Sequence, residues 1–216
     1  IYNNRKIMKL AVHNIKGKDT KKEISLNNDI FGVEPNNHAI YLDVKQYLAA
    51  QRSGTHKTKG RSEVKGSRRK LRKQKGSGAA RVGDIKNPLF RGGGRVFGPQ
   101  PRNYAFKINK KVKRIARKSA LSYKAKDNDI LILEDFNFDK PSTRSYNNLL
   151  SNFNLVDNKT VLVMSKSNRN ILLSSRNLKN SRVVLASELN TYDVMSANKL
   201  MFTESSFSEI EKIYNS

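Results

Sequence analysis

The sequence contains no cysteine and no tryptophan among its 216 residues, and only 18 acidic side chains. Without cysteine, a disulfide framework, a Cys-based zinc site and a thiol nucleophile are excluded. The three histidines, His13, His38 and His56, are far apart in sequence, so we expect no metal site. No apolar run approaches the roughly 20 residues that span a bilayer, and no pattern of a secretory signal is present. We therefore expect a cytoplasmic protein with no metal and no cofactor.

Basic residues are abundant, and the 43 Lys and Arg give a formal net charge of +25. Most of the excess lies in the middle of the chain, where residues 51–118 hold 23 Lys and Arg against two acids, Glu63 and Asp84. The flanking segments, 1–50 and 119–216, carry a net charge of only +3 and +1. This concentration predicts a polyanionic partner, either nucleic acid or an anionic membrane surface.

Glycine is concentrated in the same region, since ten of the twelve glycines lie in residues 51–100. Each glycine disfavours a helix by about 1 kcal/mol relative to alanine, and the sparse apolar residues follow neither the helical nor the strand period. We predict that residues 51–104 form an extended arm that is mobile alone and is ordered by an anionic partner. A disordered linker is the alternative, but Pro88, Phe90, Phe97 and Pro99 are atypical of linkers. Doubled back, such an arm would reach up to roughly 80 Å, at about 3.3 Å per residue.

The flanks, residues 1–50 and 105–216, are predicted to form one domain. Short apolar runs predict strands at Ile7–His13, Ile130–Leu133, Thr160–Met164, Arg182–Leu185 and Asn198–Phe202. Capping residues and helical spacing predict helices from Asn36 or Asn37 to Ala50, from Asn109 to Lys126, and at Ser142–Phe153, Asn168–Ser175 and Glu204–Tyr214. Alternation of strands and helices favours an α/β fold, a three-layer domain with a mostly parallel sheet into which the arm is inserted.

The helix that follows the arm is predicted to be amphipathic. Helical spacing predicts that its buried side holds Val112, Ile115, Ala116, Ala120 and Tyr123. Its basic residues are predicted to lie largely on the rest of its surface.

No arrangement of residues typical of catalysis is present. The nearest match to a dinucleotide fingerprint, residues 76–81, has Arg81 in place of the last glycine, and Gly17-Lys18 is followed by Asp19 rather than Ser or Thr. A nucleic-acid enzyme with a basic arm stays an alternative, but it would need a carboxylate cluster for metal. A DNA-compacting protein is a second alternative, although proteins that bind duplex DNA usually offer a helix or ribbon to a groove.

Several segments of the arm carry a specific set of motifs. They are Arg52–Thr55 (R-S-G-T), Arg61–Ser67 (R-S-E-V-K-G-S), Gln74–Gly78 (Q-K-G-S-G), Ala80–Arg81, Ile85–Phe90 (I-K-N-P-L-F), Gly92–Gly94 and Val96–Pro99 (V-F-G-P). With these motifs the chain resembles the bacterial family of ribosomal protein L-four. It departs from the family at Leu71, Arg72 and Ala79, where the family often has Pro, an aromatic residue and Arg. Family members usually begin near Met8, so residues 1–7 are interpreted as an extension or the product of an upstream start.

The resemblance implies a structural constituent of the large ribosomal subunit and no enzymatic activity. It implies a primary rRNA-binding protein that is needed early in subunit assembly and whose arm lines the polypeptide exit tunnel. Because some relatives repress their own operon, it also implies autoregulatory binding of the chain's own mRNA. The implied partners are large-subunit rRNA, neighbouring ribosomal proteins and the nascent polypeptide at the tunnel constriction, with no membrane.

The residues expected to contact rRNA are mostly basic and lie in the arm and the helix that follows it. They are Arg52, Thr55, His56, Lys57, Lys59, Arg61, Lys65, Arg68, Arg69, Lys70, Arg72, Lys73, Lys75, Arg81, Lys86, Arg91, Arg95, Arg102, Lys110, Lys113, Arg114 and Arg117. The expected tunnel tip consists of Lys73, Gln74, Lys75, Gly76, Ser77 and Gly78.

Overall fold

The computed structural model describes residues 8–215, with side chains up to Tyr214, so the interpretation of residues 1–7 as an extension lies outside the described residues. The strands are β1 (Lys9–His13), β2 (Asp19–Ser25), β3 (Ile130–Leu133), β4 (Thr160–Met164), β5 (Ser181–Leu185) and β6 (Lys199–Thr203). The helices are α1 (Asn28–Phe31), α2 (Asn37–Ala50), α3 (Lys110–Lys126), α4 (Thr143–Asn152), α5 (Arg169–Ser175), α6 (Thr191–Ser196) and α7 (Glu204–Asn215).

The six strands form one sheet in the order β2-β1-β3-β6-β4-β5. Strands β1 and β2 pair antiparallel, and every other neighbouring pair is parallel. Parallel pairing requires a crossover connection, which the helices between the strands provide. The prediction of an α/β fold with a mostly parallel sheet is confirmed.

Both faces of the sheet are covered, as the alternation of side chains along β4 demonstrates. Val161 and Val163 pack with residues of α1, α3, α6 and α7, whereas Leu162 between them packs with residues of α4 and α5. Successive strand residues point to opposite faces, so these two clusters are the cores on either side of the sheet. The fold therefore has three layers.

Side-chain caps explain where several helices begin. The Ser142 hydroxyl accepts a hydrogen bond from the Ser145 amide, and the Asn168 side chain accepts from the amides of Asn170 and Ile171. Asn36 accepts from the Ala39 amide at 3.0 Å. Each cap satisfies amides that the first helical turn leaves unpaired, and α4 and α5 thus begin one residue after their predicted starts.

The sequence pattern missed β2, α1 and α6, and it misassigned one apolar side chain. Ile115 of α3 was predicted to be buried, but it is 45% exposed. Ala116 and Ala120 are buried as predicted, but α3 also buries Ser119, Leu121, Ser122 and Ala125, which the prediction missed. Ser119, Ser122 and Ala125 are small, and small side chains let the helix pack closely without a large apolar pattern in its sequence.

The structure divides into two compact units. Residues 48–106 form one unit, here called the arm unit, and the remaining described residues form the α/β unit. Within residues 8–215, no helix combines the length and apolarity that a bilayer crossing requires.

Candidate nucleic-acid interface

The arm unit doubles back on itself without regular secondary structure, since residues 51–109 contain no helix or strand. Its outgoing and returning limbs are joined by backbone hydrogen bonds from Arg102 to Gly54 (3.2 Å), Thr58 to Pro99 (3.1 Å), Arg95 to Lys59 (3.0 Å) and Leu71 to Gly83 (2.9 Å). The partners approach one another in sequence along the arm, so the two limbs run antiparallel. The turn of the arm therefore lies between Leu71 and Gly83.

Two glycines allow the limbs to approach closely. A Cβ atom on Gly94 would overlap the backbone nitrogen of Arg61 on the opposite limb. Gly54 has φ of +63°, and a Cβ there would overlap the carbonyl oxygen of Arg102. Larger residues at these positions would force the limbs apart, which explains part of the glycine content of the segment.

The two acids of the arm unit are both used within it. Glu63 accepts hydrogen bonds from Lys57 Nζ and from the Gly60 amide, the latter at 3.0 Å, and these bonds lower the pKa of the Glu63 carboxyl. Asp84 is buried, and its Oδ1 lies 3.1 Å from Arg61 Nη2. Glu63 thus stabilises a turn of the outgoing limb and Asp84 links the two limbs, while most of the basic side chains remain uncompensated.

At the base of the arm unit, three side chains contact the side chain of Tyr104. These four residues are here called the root cluster (Arg52, His56, Arg102 and Tyr104). The guanidinium carbons of Arg52 and Arg102 lie 3.9 and 4.6 Å from the centroid of the Tyr104 ring. The Tyr104 hydroxyl is 3.0 Å from His56 Nε2. Cation–π contact holds Arg52 and Arg102, and the hydroxyl contact holds His56, so Tyr104 positions three of the residues predicted to bind RNA. Tyr104 was not identified from the sequence as part of the interface. Its position two residues after Arg102 was the sequence feature that could have indicated it.

The predicted contact residues of the arm unit are exposed, with one exception. Fifteen of its sixteen Lys and Arg side chains are exposed. Lys86 is buried, with its aliphatic carbons beside Gly66. Its side chain presents little surface to a ligand, although sequence reasoning included it among the contacts.

The predicted contact residues of α3 fall into two groups. Lys110 and Arg114 are exposed, whereas Lys113 and Arg117 are half-buried. Lys113 Nζ donates to Gln46 Oε1 at 3.2 Å. Arg117 is hydrogen-bonded to the Tyr214 hydroxyl. Burial raises the pKa of Tyr214, and the positive charge of the Arg117 guanidinium limits this increase. The exposed pair is thus better placed for a ligand, and the half-buried pair stabilises the α/β unit.

The predicted tip, Lys73–Gly78, lies in the turn of the arm and is exposed throughout. Gly76 and Gly78 have φ of +80° and +62°, and nothing lies within 4 Å of a Cβ built on either. The tip therefore reverses the chain through its glycines and presents Lys73 and Lys75 to the surroundings.

Comparison with known proteins shows similarity along nearly the whole sequence. The sequence profile described as "Ribosomal protein L4/L1 family" matches residues 24–213. A protein of Parabacteroides distasonis named "Large ribosomal subunit protein uL4" is 57% identical over 205 residues, covering 95% of this chain and 98% of the relative. Proteins of the same name from Christiangramia forsetii and Cytophaga hutchinsonii are 55% identical over 204 residues and 54% identical over 208 residues, covering 94% and 96% of this chain and 98% and 100% of the relatives. With this similarity along nearly its whole length, the chain belongs to the ribosomal protein L4/L1 family.

Proposed function

We propose that the arm unit is the principal rRNA-binding element of this structural protein of the large ribosomal subunit. Family membership makes the chain a ribosomal protein of the bacterial cytoplasm rather than an enzyme, with ribosomal RNA and neighbouring ribosomal proteins as partners. The observation that carries the proposal is the uncompensated charge of the arm unit. Of its fifteen exposed basic side chains, only Lys57 and Arg61 form ion pairs with the two acids.

The chemistry of these side chains matches an RNA backbone. Lysine and arginine neutralise phosphates and release condensed counterions, which provides affinity without reading sequence. Arginine also forms two parallel hydrogen bonds with one phosphate. On α3, Lys110 and Arg114 are exposed and continue the basic character of the chain beyond the arm. We therefore assign rRNA binding to the exposed members of the predicted set, with Lys113, Arg117 and above all Lys86 contributing least.

The shape of the arm supports a role in early assembly. Its two limbs meet mainly through backbone hydrogen bonds, and few of its side chains are buried. A narrow, charged element of this kind gains most of its order from a partner that surrounds it. RNA that encloses the arm has to fold around it, so the protein would join the particle before that RNA becomes compact.

The tip supports a second role, at the polypeptide exit tunnel. Lys73 and Lys75 lie at the far end of the arm without an acid beside them in the turn. We infer that this end lines the tunnel constriction and contacts the nascent polypeptide. Because phosphate contacts carry no sequence information, the same arm would also serve for autoregulatory binding of the chain's own mRNA.

Sedimentation tests the proposal against its alternatives. The protein should stay with the large subunit after a high-salt wash, and folded rRNA should displace it from duplex DNA of equal total charge. Release by the wash together with a preference for the duplex would favour a DNA-compacting protein instead.

A further inference from the structure

The returning limb of the arm unit forms an open cleft, and phosphate binding by the basic side chains does not require such a cleft. The cleft has a volume of about 800 Å³ and is lined by Thr58, Pro88 and residues 90–99. This volume lies within the range of about 300–1,000 Å³ that is typical of sites for small organic groups.

The walls of the cleft are held by backbone contacts rather than by a hydrophobic core. The amides of Gly93 and Gly94 donate to the carbonyls of Phe90 and Lys86, at 3.1 and 3.0 Å. Gly98 lies so close to Thr58 that a Cβ on it would overlap the threonine side chain. The cleft is therefore shaped by hydrogen bonds within the returning limb and by the close approach of Gly98 to Thr58 on the outgoing limb.

Apolar side chains of the cleft face outwards. Phe97 is 100% exposed and Val96 is 64% exposed. Val96 and Phe97 are neighbours, and contiguous exposed apolar surface often marks a binding site. An aromatic ring with both faces accessible is suited to stacking against another planar ring.

The charge of the cleft restricts the occupant. Arg91 and Arg95 line it and are exposed, and no acidic residue lines it. The sequence has no Asp or Glu from residue 85 to residue 126. A ligand that combines a planar apolar group with adjacent negative charge matches this lining, and an unpaired nucleotide has this composition. In a duplex the faces of the bases are stacked on one another and are not accessible, so the ligand must be single-stranded.

We propose that the cleft binds an unpaired stretch of rRNA, with one base stacked on Phe97 and flanking phosphates bound by Arg91 and Arg95. The proposal rests on the proposed rRNA-binding function of the arm and adds a subsite that discriminates single-stranded from paired RNA. The remainder of the arm binds phosphates in either kind of RNA.

The absence of tryptophan from the chain allows a direct test. The full chain with Phe97→Trp would carry a single indole in the cleft, and the full chain with Leu71→Trp would carry it at the turn of the arm. Single-stranded oligoadenylate should quench the fluorescence of the indole at position 97 strongly, and an RNA duplex of the same length should quench it little. Equal quenching by the two RNAs, or equal quenching at positions 71 and 97, would overturn the proposal.

Affinity for transcribed large-subunit rRNA gives a second test. Because stacking on an aromatic side chain contributes substantially to single-strand binding, Phe97→Ala should weaken binding by roughly 5- to 150-fold, and Phe97→Tyr should restore it. Leu89→Ala is the matched control, since Leu89 is 88% exposed beside the cleft but does not line it. If native protein shows no salt-dependent rRNA binding, the proposed function fails. If native protein binds and Phe97→Ala binds equally well, only the cleft proposal fails. Loss of binding to another ribosomal protein, with rRNA affinity unchanged, would assign the cleft to a protein and overturn the proposal.

Discussion

Four arginines of the arm, Arg68, Arg69, Arg91 and Arg95, provide a quantitative test of phosphate binding. All four are exposed, and none forms an ion pair with Glu63 or Asp84. We expect the quadruple Gln variant to bind rRNA more weakly, and to lose affinity less steeply as salt is added. The reason is that each phosphate contact releases counterions, and four fewer contacts release fewer of them.

The magnitude follows from the number of available charges. If about ten of the exposed basic residues contact phosphates, the slope of log K against log salt for native protein is roughly −7 to −9. Each lost contact reduces the slope by about 0.7 to 0.9, so the quadruple variant should have a slope smaller in magnitude by about 3. Filter binding of full-length protein to a transcribed rRNA domain, between about 0.1 and 0.4 M potassium chloride, measures both slopes.

A variant with the same loss of charge outside the arm separates local contacts from net charge. Lys16, Lys18, Lys166 and Lys179 are exposed in the α/β unit, and their replacement by Gln should leave the slope nearly unchanged. A slope near −2 for native protein would refute the reasoning. An equal reduction in both variants would also refute it, because the arm would then be no more important than any other basic surface.

Three further predictions concern the tip, the limbs and the core. Lys75→Glu should enter large subunits nearly normally, because it removes at most one or two phosphate contacts, but it should change sensitivity to tunnel-binding antibiotics; exclusion of this variant from purified subunits would contradict the assigned tip. Trypsin should cut the free protein first within Lys57–Arg95, and Gly94→Ala should accelerate those cuts because its Cβ would displace the backbone of Arg61; early cuts spread evenly over residues 120–216, read by mass spectrometry, would count against a mobile arm. Burial raises the pKa of Tyr146 to about 12, so the folded state retains a proton that the unfolded state loses near pH 10. Stability should therefore fall between about pH 10 and 12, by up to about 3 kcal/mol from this group; urea unfolding should find a shallower decline for Tyr146→Phe, and identical declines would disprove the assignment.

The central strands of the sheet were predictable because their sequences are continuous and apolar. The predicted bounds of β3 and β4, Ile130–Leu133 and Thr160–Met164, are those of the structure. Strands buried on both faces have this composition. Strand β2 was missed because its sequence, D-T-K-K-E-I-S, is mostly polar and charged. It lies at an edge of the sheet, where backbone pairing with β1 suffices and charged side chains protect the exposed edge.

The candidate interface was predictable in composition but not in internal structure. Charge and glycine content, read along the chain, indicate an arm for a polyanion. The overlap that keeps Gly94 a glycine depends on Arg61, far away in sequence, and no local pattern contains that information. The burial of Lys86 likewise depends on how the returning limb packs against Gly66. Contacts between the limbs are therefore seen in the structure but could not be predicted from the sequence.

Ultraviolet crosslinking of purified large subunits, with crosslinked peptides identified by mass spectrometry, determines which residues of the chain contact rRNA. We expect the crosslinked peptides to come predominantly from residues 52–81 and 91–102, with further crosslinks near Lys110 and Arg114. Crosslinks confined to the α/β unit, with none in residues 48–106, would contradict the assignment of rRNA binding to the arm.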